Sequence, residues 1–300
     1  LSDAIEERRA VRIGLMRTTL HLVTTDDALR LAPLTAGLHR RVFGSTPFAR
    51  AVSGLDMTAI LDEARSSLER EPLAPSELGR RLATRWPGRD PVALANVARY
   101  GLPLVQVPPR GLWLRTGRTV NTTLQAWTGR EPIPGALEDI VERYLRAFGP
   151  ASVADMRTWS TLTGLREVFE RLRPRLRMYR DDAGRELFDV EDGVLEDADA
   201  PAPVRFLPQY DNIFLSHDDR SRIAGDGVAV DMGWKGPILV DGFIAGAWRV
   251  RRVLRTATMT IELGRALDPA DWADLESEAD RLAAFLSPDL AHEVVVSATG

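Results

Sequence analysis

Between Met57 and Val190 the chain runs twice through one order of patterns: three short amphipathic helices, then two strand-like runs. Repetition of a whole supersecondary unit is hard to produce by chance, so it limits the fold more than any single segment does. In the first copy, Met57 to Glu69 sets Ile60, Leu61, Ala64 and Leu68 on one helical face. Ser76 reads as the cap of a second helix, Glu77 to Arg85, which Pro87-Gly88 ends, and Asp90-Pro91 opens a third that closes near Tyr100-Gly101. Leu104 to Val107 and Leu112 to Leu114 then read as a hairpin about the turn Pro108-Pro109-Arg110-Gly111. The second copy starts with a helix over Ala136 to Phe148, stopped by Gly149-Pro150. Ser152 with Asp155 resembles a capping box. Thr163 caps the third helix, where Leu165, Val168, Phe169 and Leu172 form the apolar stripe before Pro174. Leu176 to Arg180 and Glu186 to Val190 make the closing hairpin.

Three helices and a β wing are the winged-helix plan. The flanks add two pieces. Val11 to Met16 and Thr18 to Val23 read as strands, and Thr25 as the cap of a helix from Asp26 to about Val42 that Pro33 bends or breaks. The strands need a neighbouring sheet to be stable, because isolated short hairpins are marginal. The chain opens at Leu1 with the pattern of a helix end, which predicts a domain begun upstream. After an acidic, Pro- and Ala-rich linker from Glu191 to Pro203, Pro237 to Val250 reads as a hairpin about Asp241-Gly242. Thr256 to Leu263 follows as a half-buried strand, Asp268-Pro269 opens a helix to about Phe285, and His292 to Ser297 is a last strand. The fold class read from this is α+β: tandem winged-helix domains with a C-terminal β-rich segment. The divisions are residues 1–50, the remainder of a first winged-helix domain, then 51–130 and 131–195 as the second and third, and 203–300 as the β-rich domain.

Composition narrows the chemistry. With no cysteine in 300 residues, disulfides, thiolate zinc sites and cysteine nucleophiles are excluded. No apolar run reaches the roughly 18 residues of a membrane span, and no secretory pattern is visible, so a cytoplasmic protein is expected. The net charge of −4 runs against general nucleic-acid affinity. Yet the cations are arginines apart from Lys235, and arginine suits bidentate contact to phosphate and guanine.

Three segments carry a family likeness: Met16 to Thr24 with Asp27-Ala28, Val204 to Arg220, and Val240 to Phe243 with Gly246 and Trp248. Together they resemble the bacterial winged-helix DNA-binding-domain family that includes glycosylases for alkylated guanines and interstrand crosslinks, the azinomycin-resistance type among them. The resemblance implies tandem winged helices around a concave DNA cleft and hydrolysis of the N-glycosidic bond of an N7-alkylated purine. That base is already a good leaving group, so the protein's task is to place a water and stabilise an oxocarbenium-like sugar. Characterised members use two polar residues flanking an apolar one, usually Gln-x-Gln, near the N-terminus. Gln106, Gln125 and Gln209 are read as isolated, so the resemblance assigns no catalytic residue in this chain. The partner it implies is duplex DNA, bound by a monomer without cofactor or metal.

Candidate DNA contacts are His21, Arg110 at the wing tip, and the polar run Asp211, Asn212, Ser216, His217, Asp219, Arg220 and Arg222. His21 alternates with Leu20 and Leu22; leucines facing a core would turn it to a cleft, and a structural histidine is the other reading. Asx and Ser turn bonds account for about half of the polar run. The third helix of the later copy shows Arg166, Glu167, Glu170 and Arg171 outward, a mixed face poorly suited to reading bases. If the site reading holds, His21 and the Asp211–Arg220 segment border one arginine-lined face. The rivals are a non-catalytic winged-helix DNA-binding or regulatory protein, and an interaction module that never touches DNA.

Overall fold

A computed structural model describes residues 1–197, 199–224 and 233–298; Ala198, in the stretch read as a linker, lies outside the described residues. The chain forms two compact units, Leu1–Arg143 with Ser160–Leu172, and Tyr144–Trp159 with Arg173–Gly300.

In the first unit a short helix, α1 (Ser2–Glu6), leads into the antiparallel strands β1 (Ala10–Gly14) and β2 (Leu20–Thr24). β1 also pairs with β3 (Leu104–Gln106), and β3 with β4 (Asn121–Thr123), giving a sheet of order β2-β1-β3-β4. The N-terminal strands thus find the neighbouring sheet that their length requires. Val11, Ile13 and Val105 face α2 (Thr25–Gly44), whose Ala28, Leu29 and Ala32 complete that core. α2 is capped by Thr24, not Thr25: the Thr24 hydroxyl accepts from Asp27 N, while Thr25 Oγ1 donates to Arg8 O. Pro33 does not break α2, and the reason is local. The Leu29 carbonyl that Pro33 leaves without its helical donor accepts from Ile133 N at 3.2 Å.

After α3 (Pro47–Ala51), three helices pack on one another: α4 (Met57–Arg70), α5 (Pro75–Arg85) and α6 (Pro91–Gly101). Ile60, Ala64 and Leu68, then Leu78 and Leu82, then Leu94 and Val97 fill their common core. Burying a large apolar side chain contributes about 1.5–3 kcal/mol, so this cluster holds the three helices together. Two local readings are corrected. α5 starts two residues earlier than Ser76 would set it: Ala74 is the N-cap, Pro75 the first helical residue, and the Glu77 carboxylate accepts from Ala74 N. The strand that pairs with β3 is Asn121–Thr123, not Leu112–Leu114. Gly111 and Leu114 both sit at positive φ, so the apolar run between them turns instead of extending. Thr122 and Thr123 are buried, and Thr122 Oγ1 donates to Leu68 O, tying β4 to α4. α7 (Leu124–Thr128) follows.

The second run of helices is α8 (Leu137–Phe148), α9 (Val153–Ser160) and α10 (Leu165–Leu172), then the hairpin β5 (Leu176–Arg180) and β6 (Glu186–Val190). Residues 137–143 and Ser160–Leu172 belong to the first unit, the remainder to the second. The Ser152–Asp155 box forms as read, with Asp155 accepting from Ser152 N and Asp155 N donating to Ser152 Oγ. In the second unit a five-stranded sheet has the order β11-β10-β9-β8-β7, from β7 (Arg205–Phe206), β8 (Gly236–Val240), β9 (Phe243–Val253), β10 (Thr256–Leu263) and β11 (Ala291–Ala298). The short helices α11 (Asn212–Leu215) and α12 (Ser221–Ala224) lie between β7 and β8 in sequence. α13 (Pro269–Leu286), capped by Asp268, joins β10 to its parallel neighbour β11 and packs Leu275, Ala279 and Ala283 on the sheet. β9 runs to Val253, three residues past the Val250 limit of the sequence reading.

Candidate nucleic-acid interface

The polar run after β7 is held from inside the second unit. Asp211 caps α11 by accepting from Ile213 N, and Ser216 Oγ donates to Ile213 O. His217 Nε2 donates to Phe148 O at 3.0 Å, since a carbonyl only accepts, and Nδ1 meets Ser216 Oγ at 2.7 Å. Burial first, and then the nearby Arg222, lower the His217 pKa, so the ring is neutral at pH 7. Asp155, nearly fully buried, accepts from both Ser152 groups and from Asp218 N. Those bonds outweigh the burial that would raise it and hold its carboxyl below the usual range. Tyr144 donates to Ser216 O, Thr158 to Asp218, and Trp159 Nε1 to Asn212 Oδ1. Asp219 accepts from Ser221 and Arg185, which bring its pKa to about 2.

Asp211, Ser216, His217 and Asp219 therefore have structural partners. Asn212, Arg220 and Arg222 are the exposed members. Arg220 stacks on Phe214, 4.5 Å from the ring centroid, and remains exposed. Arg222 donates to Pro150 O.

In the first unit the condition for a cleft-facing His21, leucines turned to a core, is not met. Leu20 and Leu22 are 44% and 43% exposed, and His21 lies opposite Ile13 on the face that carries Val11 and Val23. The leucines face out and the imidazole faces in, half-buried, with Nδ1 donating to Thr19 O at 3.0 Å. Burial lowers its pKa. Arg110 is exposed on the long β3–β4 connection and donates to Gly117 O. Arg12 lies close by: burial and then the Arg110 charge lower its pKa, and a Cβ on Gly111 would fall 2.5 Å from Arg12 Cδ.

Two features escaped the sequence reading. The β9–β10 hairpin ends in Val253-Leu254, Leu254 being 96% exposed, with Arg249, Arg251 and Arg255 exposed around it. The alternation of arginine with apolar residues from Arg249 onward is its signal. Gln209 is also not isolated: Gln209-Tyr210-Asp211 is a Gln-x-Asp triplet, though the Asp211 carboxylate is taken by the α11 cap.

The AlkZ-like DNA glycosylase family model matches residues 1–285. The chain belongs to this family. It is 27% identical over 265 residues to an interstrand DNA cross-link repair glycosylase of Streptomyces sahachiroi, across 78% of this chain and 69% of that one. The solved structure of the Streptomyces sahachiroi DNA glycosylase AlkZ superposes with a TM-score of 0.65 at 19% identity, covering 98% of this chain and 84% of its own. At that identity the superposition speaks for a shared fold, the mixed α/β architecture of the AlkZ-like glycosylases. Among the described residues no helix is long and apolar enough to cross a membrane.

Proposed function

We propose that this AlkZ-like chain is a DNA glycosylase that hydrolyses the N-glycosidic bond of N7-alkylated purines, including crosslinked ones, in duplex DNA. The observation that carries the reading is the family match, which runs through both compact units. The geometry supports it on two counts. Residues 51–130 and 131–195 each run through three helices and an antiparallel hairpin, the order of a winged-helix module, which favours a tandem array of such domains. Each unit also presents exposed arginines on a scaffold that is acidic as a whole. Arg110 lies in the first, and Arg220, Arg222, Arg251 and Arg255 in the second. Phosphate binding follows local potential, not net charge. These arginines are assigned to the DNA backbone, with Leu254 as an apolar wedge toward base steps. The protein acts as a cytoplasmic monomer in this reading.

The alternative is a DNA-binding protein without catalysis. What favours it is that the Gln209-Tyr210-Asp211 triplet has its carboxylate committed to the α11 cap. A duplex carrying 7-methylguanine and one carrying a mustard interstrand crosslink separate the two. Release of alkylated base, read as alkali-labile abasic sites, supports the enzyme. Tight duplex binding with no release from either substrate favours the alternative.

A further inference from the structure

An apolar hollow in the first unit lies where α2, the α3–α4 connection, α4 and α6 meet. It has a volume of about 430 Å³, within the roughly 300–1,000 Å³ of small-molecule sites. Phe43, Leu55, Met57 and Leu61 pack on the helical core and also line this hollow, and Tyr100 completes the wall. The Phe43 and Tyr100 rings stand 5.7 Å apart at a tilt of 45°, a favoured aromatic pairing that holds the wall in place without a ligand. Gly44 shows that the hollow is kept open. Its backbone is right-handed at the end of α2, and a Cβ there would meet nothing within 4 Å. Neither conformation nor crowding calls for glycine at this position, and a larger residue would narrow the mouth. The chain has 43 acidic residues, yet no carboxylate is found among the lining residues. The charge there is that of Arg40, which is exposed and has no ion pair or hydrogen bond among the described residues. A neighbouring cavity of about 340 Å³, which shares Tyr100 and has Leu20 at its rim, is instead lined by His39, Gln106 and Asn121. Polar walls of that kind hold water, whereas apolar ones gain by losing it.

We infer that the apolar hollow binds a small aromatic monoanion, its ring body against Phe43, Met57, Leu61 and Tyr100 and its carboxylate or sulfonate turned out to Arg40. Removing the apolar body from water supplies most of the affinity. The exposed guanidinium supplies orientation and selection for an anion more than strength, because an ion pair in contact with water is weak. An aromatic body is favoured over an acyl chain because the wall offers two fixed rings for edge and face contact. Such a ligand would be held whether or not the chain releases bases, since none of these residues is among the arginines or the hairpin assigned to DNA.

The test uses the whole chain and two fluorescent probes of one ring skeleton: anilinonaphthalene sulfonate, and phenylnaphthylamine, which lacks the sulfonate. Both brighten on leaving water, and calorimetry counts the sulfonate sites. The wild-type chain should hold a single equivalent of the sulfonate, several-fold more tightly than the neutral probe. R40Q should remove that preference and leave the neutral probe bound as before. G44W and A49W fill the hollow from two of its walls and should abolish saturable binding of both probes. Melting curves verify that each variant folds, and if either fails to fold the other decides. Four results overturn the assignment: no saturable binding, equal affinity for the two probes, a preference for the sulfonate that survives R40Q, or binding retained by a folded filling variant.

Discussion

Asp155 shows how one side chain can organise a surface it does not reach. It is almost fully buried and accepts three hydrogen bonds, one of them from Asp218 in the polar run. Bonds to a charged acceptor are worth about 1.5–3 kcal/mol each and are not additive, so D155A should cost about 3 kcal/mol by urea denaturation. A loss below about 1 kcal/mol would mean the cap is dispensable. Arg220 is the opposite case: exposed and stacked on Phe214, it has little to do with stability. R220A should weaken duplex binding and flatten its salt dependence by roughly one phosphate contact, with the melting temperature unchanged. An unchanged salt slope would remove Arg220 from the interface. The histidines set the pH response. Burial leads in lowering the pKa of His21, His39 and His217, so native rings resist the protons that an unfolded chain takes up near pH 6.5. Stability is therefore full above that pH and is lost as pH falls through it. Asp27 and Asp155, held low, stay ionised in this window. Melting temperatures should drop between pH 7.5 and 5.5, and a flat or rising profile would contradict the assignment.

At the scale of elements, helices were legible wherever periodicity and a cap coincided. Asp56, Asp90 and Asp268 each accept from the first turn of the helix they open, and the apolar stripes of α4 and α10 are buried as spaced. Pairing partners were less legible, because registry is decided by residues distant in sequence. Leu112-Trp113-Leu114 has a strand's composition, yet the backbone turns there, and the three residues of β4 lie too close to α7 to announce a strand. The face of β2 stayed open in the sequence for a related reason. Large apolar residues ordinarily mark the buried side, but Leu20 and Leu22 line an open surface and a cavity rim while His21 and Val23 point inward. The β9–β10 hairpin offers an element-scale test. Its tip is solvent-exposed and makes no core contact, so the triple change R251A/L254A/R255A should leave stability within about 1 kcal/mol while reducing duplex affinity. Unchanged affinity would detach the hairpin from DNA.

For the molecule as a whole, the resemblance and the fold converge on one family, and the site is the part the sequence left open. The three quoted segments identified the AlkZ-like glycosylases because motif residues such as Thr18, Asp211 and Trp248 serve a turn, a cap and a sheet contact, which the fold needs wherever it occurs. The same economy hid the site, since most of the polar run turned out to be spent on holding its own loop. An acidic chain that binds DNA through scattered arginines should do so weakly at physiological salt and depend on the lesion for affinity. The most direct measurement is therefore single-turnover release of 7-methylguanine from a defined duplex, with the undamaged duplex as control. The account predicts alkali-labile sites at the methylated position and none in the control. Stoichiometric binding of the methylated duplex with no base released over many hours would contradict it.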